Sequence, residues 1–368
     1  MKIGIIETHY HSEFVHTLIQ IFKKENIDVY LTRDVYKELD EASKQCTNNS
    51  FIFLYTNLQK AKSFISKIPT NQYDLLFVNT IQPSMVDLPN WKHFKPQCKS
   101  ILTLHNLNAW NNHRFRLRKN LAHSFDSYIA SFYTKKILKK FDHINVVYPV
   151  MTDLAQKYFG ATHKILSIPF AYAQENIIND KKETIDFVIP GVVSKTKRNY
   201  EPIIEAFENL SREHENIRLI LLGENKDNLE FKPLVSEEEK IITFDTRIST
   251  IEYNEYLRNS DFIIIPNFFL THSVNTTDEF YGFSKSPSIN EVIKWRKPLI
   301  IPEHIPVDYH LESSTIKYDN SKHLESQMRT LIRNKRVTKE IKKNAVLNTK
   351  SFTLENIRKN IYKELELN

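Results

Sequence analysis

The stretch IDFVIPGVVSKTKRNYEPIIEAFENL, from Ile185 to Leu210, contains the unit that decides the fold. A largely apolar run ends at Gly191, a basic loop follows, and an amphipathic helical pattern begins at Glu201. An apolar run followed by a helical pattern is typical of a buried strand and the helix that covers its sheet. The stretch therefore predicts an α/β fold with a parallel sheet.

The same alternation extends in both directions along the chain. In the first half, the predicted strands are Lys2–Glu7, Asp28–Thr32, Phe51–Tyr55, Leu75–Asn79, Ser100–Leu104, Ile144–Val147 and Lys164–Ile168. In the second half, they are Ile185–Ile189, Arg218–Leu222, Ile241–Phe244, Phe262–Pro266 and Leu299–Ile301, and two or three helices follow. We therefore predict two doubly wound, Rossmann-like domains that face each other across a cleft, the default ligand site of such sheets.

The composition is that of an ordinary globular protein. Of the 368 residues, 41% are hydrophobic and 26% are charged, and 51 basic against 44 acidic side chains give a formal net charge of +7. Such a chain is long enough for two domains with separate cores. No apolar run reaches the roughly 18 residues of a membrane-spanning helix, and the N-terminus does not resemble a signal peptide. With only two cysteines, we expect a reducing, cytoplasmic setting.

Glycine is scarce, and this excludes several nucleotide-binding classes. The five glycines are Gly4, Gly160, Gly191, Gly223 and Gly282. They form neither a G-x-G-x-x-G fingerprint nor a G-x-x-x-x-G-K-[ST] phosphate loop, which excludes the usual NAD-dependent oxidoreductases, P-loop NTPases and protein kinases. The chain also has no Asp-x-Asp pair, which argues against transferases that hold a nucleotide diphosphate through a metal.

The segment EFYGFSKSPSINEVIKWRKPLIIP, from Glu279 to Pro302, places polar groups at a predicted helix start. Ser286 and Pro287 suit the cap and the first position of a helix. A lysine and three serines cluster there: Ser284, Lys285, Ser286 and Ser288. A helix N-terminus with such groups suits a diphosphate, and Glu291, about one turn further, could reach a pair of hydroxyls beside it. The alternative is an ordinary capped helix whose glutamate offsets its dipole.

A second basic cluster follows the strand that ends at Gly191. Lys195, Lys197 and Arg198 lie in the loop after the carboxyl end of that strand, where sheets of this kind bind ligands. The alternative is a basic loop exposed to solvent. Both clusters should open onto the same crevice, which favours the ligand-binding interpretation.

Four segments of the second half resemble the nucleotide-binding domain of GT-B glycosyltransferases in order and spacing. They are GVVSKTKRNYEPIIEAFENL, IRLILLGE, IITFDTRISTIEYNEYLRNSDFIIIPN and EFYG…SINEVIKWRKPLIIP. The resemblance covers about Ile185–Pro302 and is greatest for the retaining "glycosyl transferases group 1", family four. Gly191, Gly223 and Gly282 stand where that family has glycines. The first half matches weakly, and the ending SFTLENIRKNIYKELE resembles the family's final helix, which crosses back to the first domain.

The resemblance implies an acceptor-side domain at 1–172, a linker at 173–184, a nucleotide-sugar-binding domain at 185–350 and a returning helix at 351–368. It implies that Lys197 contacts the donor diphosphate, Glu279 the donor sugar and Glu291 the ribose hydroxyls. His105, after a first-half strand, would lie near the sugar, so His105, Glu279 and Lys197 are the implied catalytic residues. The other donor-binding residues implied by the resemblance or by the two clusters are Arg198, Gly191, Thr246, Arg247, Ile248, Tyr281, Gly282, Ser284, Lys285, Ser286 and Ser288.

The chain departs from the family's pattern at three places. Val192 replaces the arginine after the first glycine, so Arg198 is expected to supply that charge. Glu279 and Glu291 are twelve residues apart, where the family has eight. The sequence THYHSEFVH, Thr8–His16, replaces the glycine pair of the first-domain loop, which leaves the acceptor contacts and the stereochemistry open. The acceptor-side residues in it are His9, Tyr10, His11 and Glu13.

No metal is expected at this site, so protein groups would have to balance the charge of the reaction. The diphosphate leaves with growing negative charge, which Lys197, Arg198, Lys285 and the helix N-terminus would stabilise. With retention of configuration, the leaving phosphate itself helps to deprotonate the acceptor. With inversion, His11 or Glu13 would have to take the proton.

His9, His11 and His16 have three interpretations: a metal site, acceptor binding, or histidines at the surface. Their spacing across a strand end and a helix start does not suit a tetrahedral site, so no metal is expected. The other two interpretations stay open.

Positive charge is concentrated in the segment 113–142. It has eight basic and two acidic residues, 8 − 2 = +6, and its apolar residues have helical spacing. Such a surface suits anionic lipid headgroups, and it also suits a solvated helix face with its apolar stripe in the core. Nucleic acid is not expected as a partner, because no recognised binding motif is present.

The resemblance therefore implies a GT-B glycosyltransferase, hexosyltransferase-like and retaining. It would move a sugar from a nucleotide diphosphate sugar, UDP- or GDP-linked, to a glycan or lipid-linked acceptor, and the resemblance alone implies a setting in cell-surface polysaccharide synthesis. No cofactor is expected, and the setting is the cytoplasm, with peripheral contact at the inner face of the cell membrane through 113–142 as an option. The alternatives are a GT-B nucleotide-sugar epimerase and a non-catalytic GT-B subunit that binds nucleotide or glycan to support a partner enzyme.

Overall fold

The structure is a computed structural model that describes residues 1–46, 48–53, 64–84, 87–111, 132–175, 183–196, 198–226, 240–268, 270–271, 279–280 and 287–367. The chain divides into two compact units. The first unit comprises Met1–Phe170 together with Ile357–Asn368, and the second lies within Ala171–Asn356. Each unit is built on its own parallel sheet.

The first unit has a sheet of seven parallel strands. The strands are β1 (Lys2–Glu7), β2 (Asn26–Leu31), β3 (Asn49–Phe53), β4 (Leu75–Val78), β5 (Lys99–Leu104), β6 (His143–Val146) and β7 (Lys164–Ser167). Their order is β3-β2-β1-β4-β5-β6-β7, so the winding reverses between β1 and β4. Strand β4 is buried at every position, as expected for a central strand covered on both faces.

Helices accompany this sheet, and five of those between its strands have both ends within the described residues. They are α1 (Ser12–Ile21), α2 (Arg33–Glu38), α3 (Glu41–Lys44), α4 (Leu107–Asn111) and α5 (Thr152–Phe159). Helix α1 has apolar residues at helical spacing and buries Phe14, Leu18 and Ile21 in the core. This helix follows β1 directly, so the loop Thr8–His11 is held at the carboxyl end of that strand.

The second unit has six parallel strands and a short antiparallel pair. The strands are β8 (Ile185–Pro190), β9 (Ile217–Glu224), β10 (Ile241–Phe244), β11 (Phe262–Ile264), β12 (Leu270–Thr271), β13 (Glu279–Phe280), β14 (Leu299–Pro302) and β15 (Thr315–Tyr318). The parallel sheet has the order β10-β9-β8-β11-β14-β15, and β12 pairs with β13. Its winding reverses between β8 and β11.

Helices of the second half alternate with these strands and then close the chain. They are α6 (Glu201–Glu213), α7 (Thr250–Asn259), α8 (Pro287–Trp295), α9 (Ser321–Arg333), α10 (Lys335–Asn348) and α11 (Leu354–Leu365). In the core, Phe187 of β8 and Phe262 of β11 stack with ring centroids 5.2 Å apart. At the amino end of the sheet, Arg218 donates two hydrogen bonds of 2.8 Å to Asp186, which binds β9 to β8.

The predicted fold class is confirmed in its α/β character and in its two doubly wound parallel sheets. One strand was missed. Strand β15, Thr315–Tyr318, lies where only helices were predicted after the fifth strand of the second half. It is four residues long, lies at the edge of the sheet and alternates in burial, so it lacks the continuous apolar run of the central strands.

The segment that enters the second unit is packed against it. The backbone N–H of Ala173 donates to Phe352 at 2.8 Å, and that of Gln174 donates to Lys294 at 3.0 Å. Ala173 is 2% exposed. The linker predicted at 173–184 therefore begins with residues bonded to the second unit, and its positions 176–182 lie outside the described residues.

The final helix, α11, contacts the first unit through Glu25. Both Arg358 and Tyr362 donate to the Glu25 carboxylate, at 3.2 and 2.9 Å. The amino terminus of Met1 donates to the same carboxylate at 2.9 Å. Lys164 of β7 forms an ion pair with Glu364 at 3.1 Å. These contacts bind the end of the chain to its beginning.

The basic segment 113–142 is described only from residue 132 onward, where 132–138 are helical. Its membrane interpretation therefore stays a prediction. Among the described residues, no helix combines the length and the apolar character needed to cross a bilayer.

Candidate functional sites at the two sheet reversals

Parallel sheets of this type bind ligands at the carboxyl ends of their strands, where the winding reverses. The two reversals lie between β8 and β11 in the second unit and between β1 and β4 in the first. Polar and charged side chains gather at both points, and each group is described by itself.

In the second unit, the turn after β8 depends on two glycines. Gly191 has φ +94°, a conformation that side-chain-bearing residues rarely adopt. Gly223, near the end of β9, packs so closely that an added Cβ would lie 2.5 Å from the Gly191 carbonyl oxygen. Gly223 therefore allows the ends of β8 and β9 to approach each other, and Gly191 allows the chain to turn there.

Arg198 returns from the basic loop onto this turn. Its Nη1 donates to the Gly191 carbonyl at 3.2 Å, and its Nη2 donates to Ser288 Oγ at 3.4 Å. Ser288, 4% exposed at the start of α8, donates in turn to the Pro190 carbonyl at 3.2 Å. The structure thus brings together three predicted donor-binding residues, Gly191, Arg198 and Ser288. The Ser288 hydroxyl proton is used by the backbone, so the charge at this point comes from Arg198.

Glu291 lies one turn into α8 and accepts a hydrogen bond from the same helix. Trp295 Nε1 donates to its Oε2 at 3.1 Å. Tyr253, on α7, is close to this carboxylate: burial raises the pKa of Tyr253 well above its usual value, and the negative charge of Glu291 acts in the same direction. Arg198 is close enough to act on Tyr253 in the opposite sense. Glu291, Tyr253 and Arg198 therefore belong to one electrostatic cluster.

Helix α8 begins at Pro287, the first helical position predicted from the sequence. The loop residues Thr246, Arg247 and Ile248 follow β10 and precede Ser249, which caps α7 by accepting a hydrogen bond from the Glu252 N–H at 3.2 Å. Thr246 and Arg247 are exposed, and Ile248 is partly buried. They lie at the carboxyl end of the sheet, the edge that also carries Gly191.

Several predicted residues lie outside the described residues. Lys197, Tyr281, Gly282, Ser284, Lys285 and Ser286 are in this group. Glu279 is placed only as the first residue of β13, and its side chain is not described. The roles given to them stay predictions.

Two residues of this site were not found from the sequence. One is Tyr253, whose contact with Glu291 joins residues 38 positions apart in the chain. The other is Asn267, which follows β11 and bridges to Arg198 through the backbone. The Asn267 Oδ1 atom is buried and has no hydrogen-bond partner among the described residues. A polar residue that directly ends an apolar run, as Asn267 does after FIIIP, is the signal that could have found it.

In the first unit, Glu7 and its hydrogen-bond partners lie at the point where the winding of the sheet reverses. Glu7 ends β1 and is fully buried. One carboxylate oxygen accepts from the His9 N–H at 2.7 Å and the other accepts from Thr80 Oγ1 at 2.8 Å. Burial raises the pKa of Glu7, and the nearby His11 is the largest influence in the opposite direction.

His105 and His11 stack beside this carboxylate. Their ring centroids are 4.1 Å apart, and the rings are inclined by 28°. His105 Nε2 is 2.6 Å from the Asn79 carbonyl oxygen and 3.1 Å from Thr80 Oγ1. Because a carbonyl oxygen can only accept, Nε2 carries the proton. His105 is thereby linked through Thr80 to Glu7.

His9 is paired with a buried carboxylate that the sequence did not indicate. Its Nε2 lies 2.9 Å from Asp87 Oδ2, and Asp87 also accepts from the Gln82 N–H at 2.8 Å and from Trp91 Nε1 at 3.3 Å. Tyr10 is 58% exposed and its hydroxyl accepts from Gln82. Asp87 is 78 residues from His9, which is why no local pattern revealed the pair.

The structure therefore gathers His9, Tyr10, His11 and His105 at one edge of the first sheet. Glu13 lies in the first turn of α1, with a carboxylate oxygen 3.8 Å from His11 Nδ1. His16 points elsewhere, because its Nδ1 bonds to Ser43 and Asp40 at 2.7 and 2.8 Å. Within the described ranges, no three His, Cys, Asp or Glu side chains are arranged to hold a metal ion.

No protein-family model and no curated protein sequence matches the chain. Solved structures do match it. Anabaena Alr3699/HepE in complex with UDP-glucose is 14% identical with a TM-score of 0.59, covering 100% of this chain and 99% of that one. The lipopolysaccharide outer core galactosyltransferase WaaB, in its apo form, is 10% identical with a TM-score of 0.57, covering 100% and 99%.

A third similar structure has a different activity. The UDP-GlcNAc 2-epimerase from Neisseria meningitidis, bound to UDP-GlcNAc, is 11% identical with a TM-score of 0.56, covering 100% of both chains. At these identities the likeness shows the fold alone. It confirms the predicted GT-B type of α/β fold, and membership of the retaining group 1 family stays a prediction.

Proposed function

We propose that the protein is a glycosyltransferase that moves a sugar from a nucleotide diphosphate sugar, with UDP as the first candidate carrier, to a glycan or lipid-linked acceptor. Retention of configuration, independence of metals and a place in cell-surface polysaccharide synthesis are parts of this proposal. The solved structures of the same fold that hold UDP-glucose or UDP-GlcNAc support the choice of UDP.

The observation that carries the proposal is the arrangement after β8. Gly191, Arg198 and Ser288 meet at the reversal of the second sheet, and Glu291 lies one turn along the helix that begins there. A guanidinium and the N-terminus of a nine-residue helix suit the charge of a leaving diphosphate. A carboxylate at the side suits the hydroxyls of a ribose. Lys197 and Lys285 would add further positive charge.

The first unit would hold the acceptor. Its cluster of His9, Tyr10, His11 and His105 presents groups that can donate and accept hydrogen bonds, as sugar hydroxyls require. If configuration is inverted, His11 and Glu13 are the candidates for taking the acceptor proton. The predicted membrane contact through 113–142 would bring this unit to a lipid-linked acceptor.

Thermal unfolding with nucleotides tests the donor site. Purified protein is heated alone and with UDP, GDP, CMP, dTDP or ADP. A nucleotide present at about 100 times its dissociation constant stabilises the folded protein by about 2.7 kcal/mol, which raises the midpoint by several degrees. We expect UDP to raise it, and Glu291→Ala to remove that increase. The increase is measured against each variant's own ligand-free midpoint.

Glu205→Ala is the matched control, because Glu205 is an exposed glutamate on α6, away from the site. It should keep the full increase with UDP. If no nucleotide raises the midpoint of the wild-type protein, the donor site is assigned wrongly and the non-catalytic alternative becomes the better one.

The epimerase alternative is favoured by one observation, the likeness to the Neisseria enzyme. It predicts that UDP-GlcNAc changes configuration with no acceptor present. NMR of UDP-GlcNAc incubated with the protein in D2O separates the two reactions. An epimerase gives a second nucleotide sugar that has taken up deuterium, whereas a transferase leaves the ring unchanged until an acceptor is added.

A further inference from the structure

Helix α10 and the turn after it carry positive charge that the proposed nucleotide site does not use. The segment 335–350 has six basic residues and one acidic residue, 6 − 1 = +5. The inner side of the helix packs on the second unit, where Ala345 is buried and Ile341 contacts the core. Lys342 is paired with Asp261 at the amino end of the sheet. The remaining basic residues of the segment are exposed.

Four of these residues form a basic stripe along the outer side of the helix. They are Arg336, Lys339, Lys343 and Lys350. Successive members are three, four and seven positions apart, the spacing of residues that share one side of a helix. With the residues that the structure describes, none of the four side chains forms an ion pair or a hydrogen bond. Their charge can therefore act on a partner outside the chain.

Two aliphatic side chains lie within the basic stripe. Val346 and Leu347 stand between Lys343 and Lys350 and are 42% and 44% exposed. The core is packed against the opposite side of the helix, so these two side chains face water. Aliphatic side chains flanked by lysines suit a membrane surface, where apolar groups enter the headgroup layer and the cations stay in water.

The basic stripe fits an anionic lipid surface better than a nucleic acid. It extends over 336–350, about 20 Å at the rise of an α-helix. Three of its four cations are lysines, and no aromatic side chain lies among them. Nucleic-acid sites favour the planar guanidinium and the aromatic rings that stack on bases. Clusters of about four to eight Lys or Arg residues on an amphipathic helix are typical of contacts with anionic lipids.

We propose that the outer side of α10 is a docking surface for membranes that contain anionic lipids. The basic stripe contacts the headgroups, and Val346 and Leu347 enter the headgroup layer. This surface belongs to the second unit, whereas the segment 113–142 belongs to the first. It does not depend on the proposed nucleotide site, so either can fail alone. Because the attraction is electrostatic, it weakens as the salt concentration rises.

Co-sedimentation with vesicles tests this surface. The probes are vesicles of phosphatidylcholine alone and vesicles of equal parts phosphatidylcholine and phosphatidylglycerol. We expect the wild-type protein to sediment with the anionic vesicles at low salt and to stay in solution with the neutral ones. Each lysine near an anionic surface contributes about fivefold to the partition coefficient, so the loss of three should lower it about 100-fold. The stripe variant combines Lys339→Gln, Lys343→Gln and Lys350→Gln.

A charge-matched variant shows whether the position of the charge matters. It replaces three exposed lysines of the first unit, as Lys23→Gln, Lys24→Gln and Lys67→Gln. This control should keep most of the wild-type binding, and both variants should keep the wild-type thermal midpoint. Equal losses in the two variants would mean that net charge alone attracts the protein. That result, a stripe variant that binds like the wild type, or a wild type that ignores anionic vesicles would each overturn the docking surface.

Leu347→Trp reports whether the aliphatic residues enter the lipid. The native tryptophans, Trp91, Trp110 and Trp295, are at most 5% exposed, so the added indole would be the exposed one. Its fluorescence emission should shift to shorter wavelength with anionic vesicles and stay unchanged with duplex DNA. An unshifted emission on bound vesicles would contradict entry into the headgroup layer. Stripe-dependent binding of duplex DNA without binding of vesicles would assign the surface to nucleic acid instead.

Discussion

Asn79 and Asn145 lie in the same row of the first sheet, and of the two amides only that of Asn145 has hydrogen-bond partners among the described residues. Thr103 of β5 pairs with Asn145 of β6, while the preceding Leu102 pairs with Val78, the residue before Asn79. Asn145 donates to Thr103 at 3.3 Å and accepts from the Ile168 N–H at 2.6 Å. Neither amide atom of Asn79 has a partner among the described residues, although its side chain is fully buried.

This difference predicts that replacement of asparagine by leucine has opposite effects on the free energy of unfolding at the two positions. Asn79→Leu removes two buried, unpaired polar atoms, so it should raise the free energy of unfolding by about 1–3 kcal/mol. Asn145→Leu leaves the Ile168 N–H without its partner and should lower it by a similar amount. Urea unfolding of both variants against the wild type measures the effect. An Asn79→Leu that is as destabilised as Asn145→Leu would mean that a buried water satisfies the Asn79 amide.

The buried carboxyl of Glu7 predicts a pH dependence. Because the folded-state pKa of Glu7 lies above its ordinary value of 4.5, the folded protein binds this proton more tightly than the unfolded chain does. That contribution is full below about pH 4.5 and is lost as the pH rises through the folded-state pKa, at about 1.4 kcal/mol for each unit of elevation. The wild type should therefore lose stability relative to Glu7→Gln as the pH rises.

The measurement for Glu7 is the difference in unfolding free energy between the two proteins from pH 4 to pH 8. Glu13→Gln serves as the control, because the Glu13 carboxylate also lies beside His11 but is half-exposed. A flat difference for Glu7→Gln would contradict the raised pKa.

The left-handed backbone of Gly191 predicts that even the small side chain of alanine lowers the stability of the protein at this position. In Gly191→Ala, the φ of +94° costs about 1–3 kcal/mol, and the new Cβ would lie 2.8 Å from Arg198 Nη2. We expect a lower thermal midpoint and weaker UDP binding, because Arg198 must move. Val192→Ala, at the exposed next position, should stay within about 0.5 kcal/mol of the wild type. Equal stability of the two variants would show that the turn tolerates a side chain.

The guanidinium of Arg198 donates two hydrogen bonds, which predicts that a positive charge alone at this position does not give full affinity for UDP. In Arg198→Lys, the two bonds to Gly191 and Ser288 cannot both be made, since an ammonium lacks the planar fork. We expect the affinity for UDP to fall about tenfold, the effect of losing a charge-assisted hydrogen bond. Titration of Arg212→Lys, a distant exposed position on α6, gives the baseline. Wild-type affinity in Arg198→Lys would mean that only net charge matters at this point.

Much of the fold could be predicted because its central strands are apolar throughout. The run Leu75–Asn79 predicted β4 and Ile144–Val147 predicted β6, since strands covered on both faces carry few polar residues. Strand β1 was predicted with its observed bounds, Lys2–Glu7. Strand β15 was not predicted, because an edge strand of four residues shows neither a long apolar run nor a helical period.

The sites could be predicted only where a residue stands directly after a strand or at a helix start. Arg198 and Ser288 were found in this way, and the structure brings them together. The pairs His9–Asp87 and Tyr253–Glu291 were not found, because each joins distant parts of the chain. The burial of Glu7 likewise depends on residues that are distant in the chain, such as Thr80, and no local sequence pattern predicts it.

Because the first unit includes both β1 and the helix that carries Arg358 and Tyr362, its synthesis starts before that of the second unit and is completed after it. All residues of the second unit are synthesised before those two reach Glu25. The second unit can therefore fold while the first still lacks its final helix. A premature stop after Asn356 would leave all residues of the second unit in place, and the damage would appear in the first unit, where Glu25 would lose Arg358 and Tyr362.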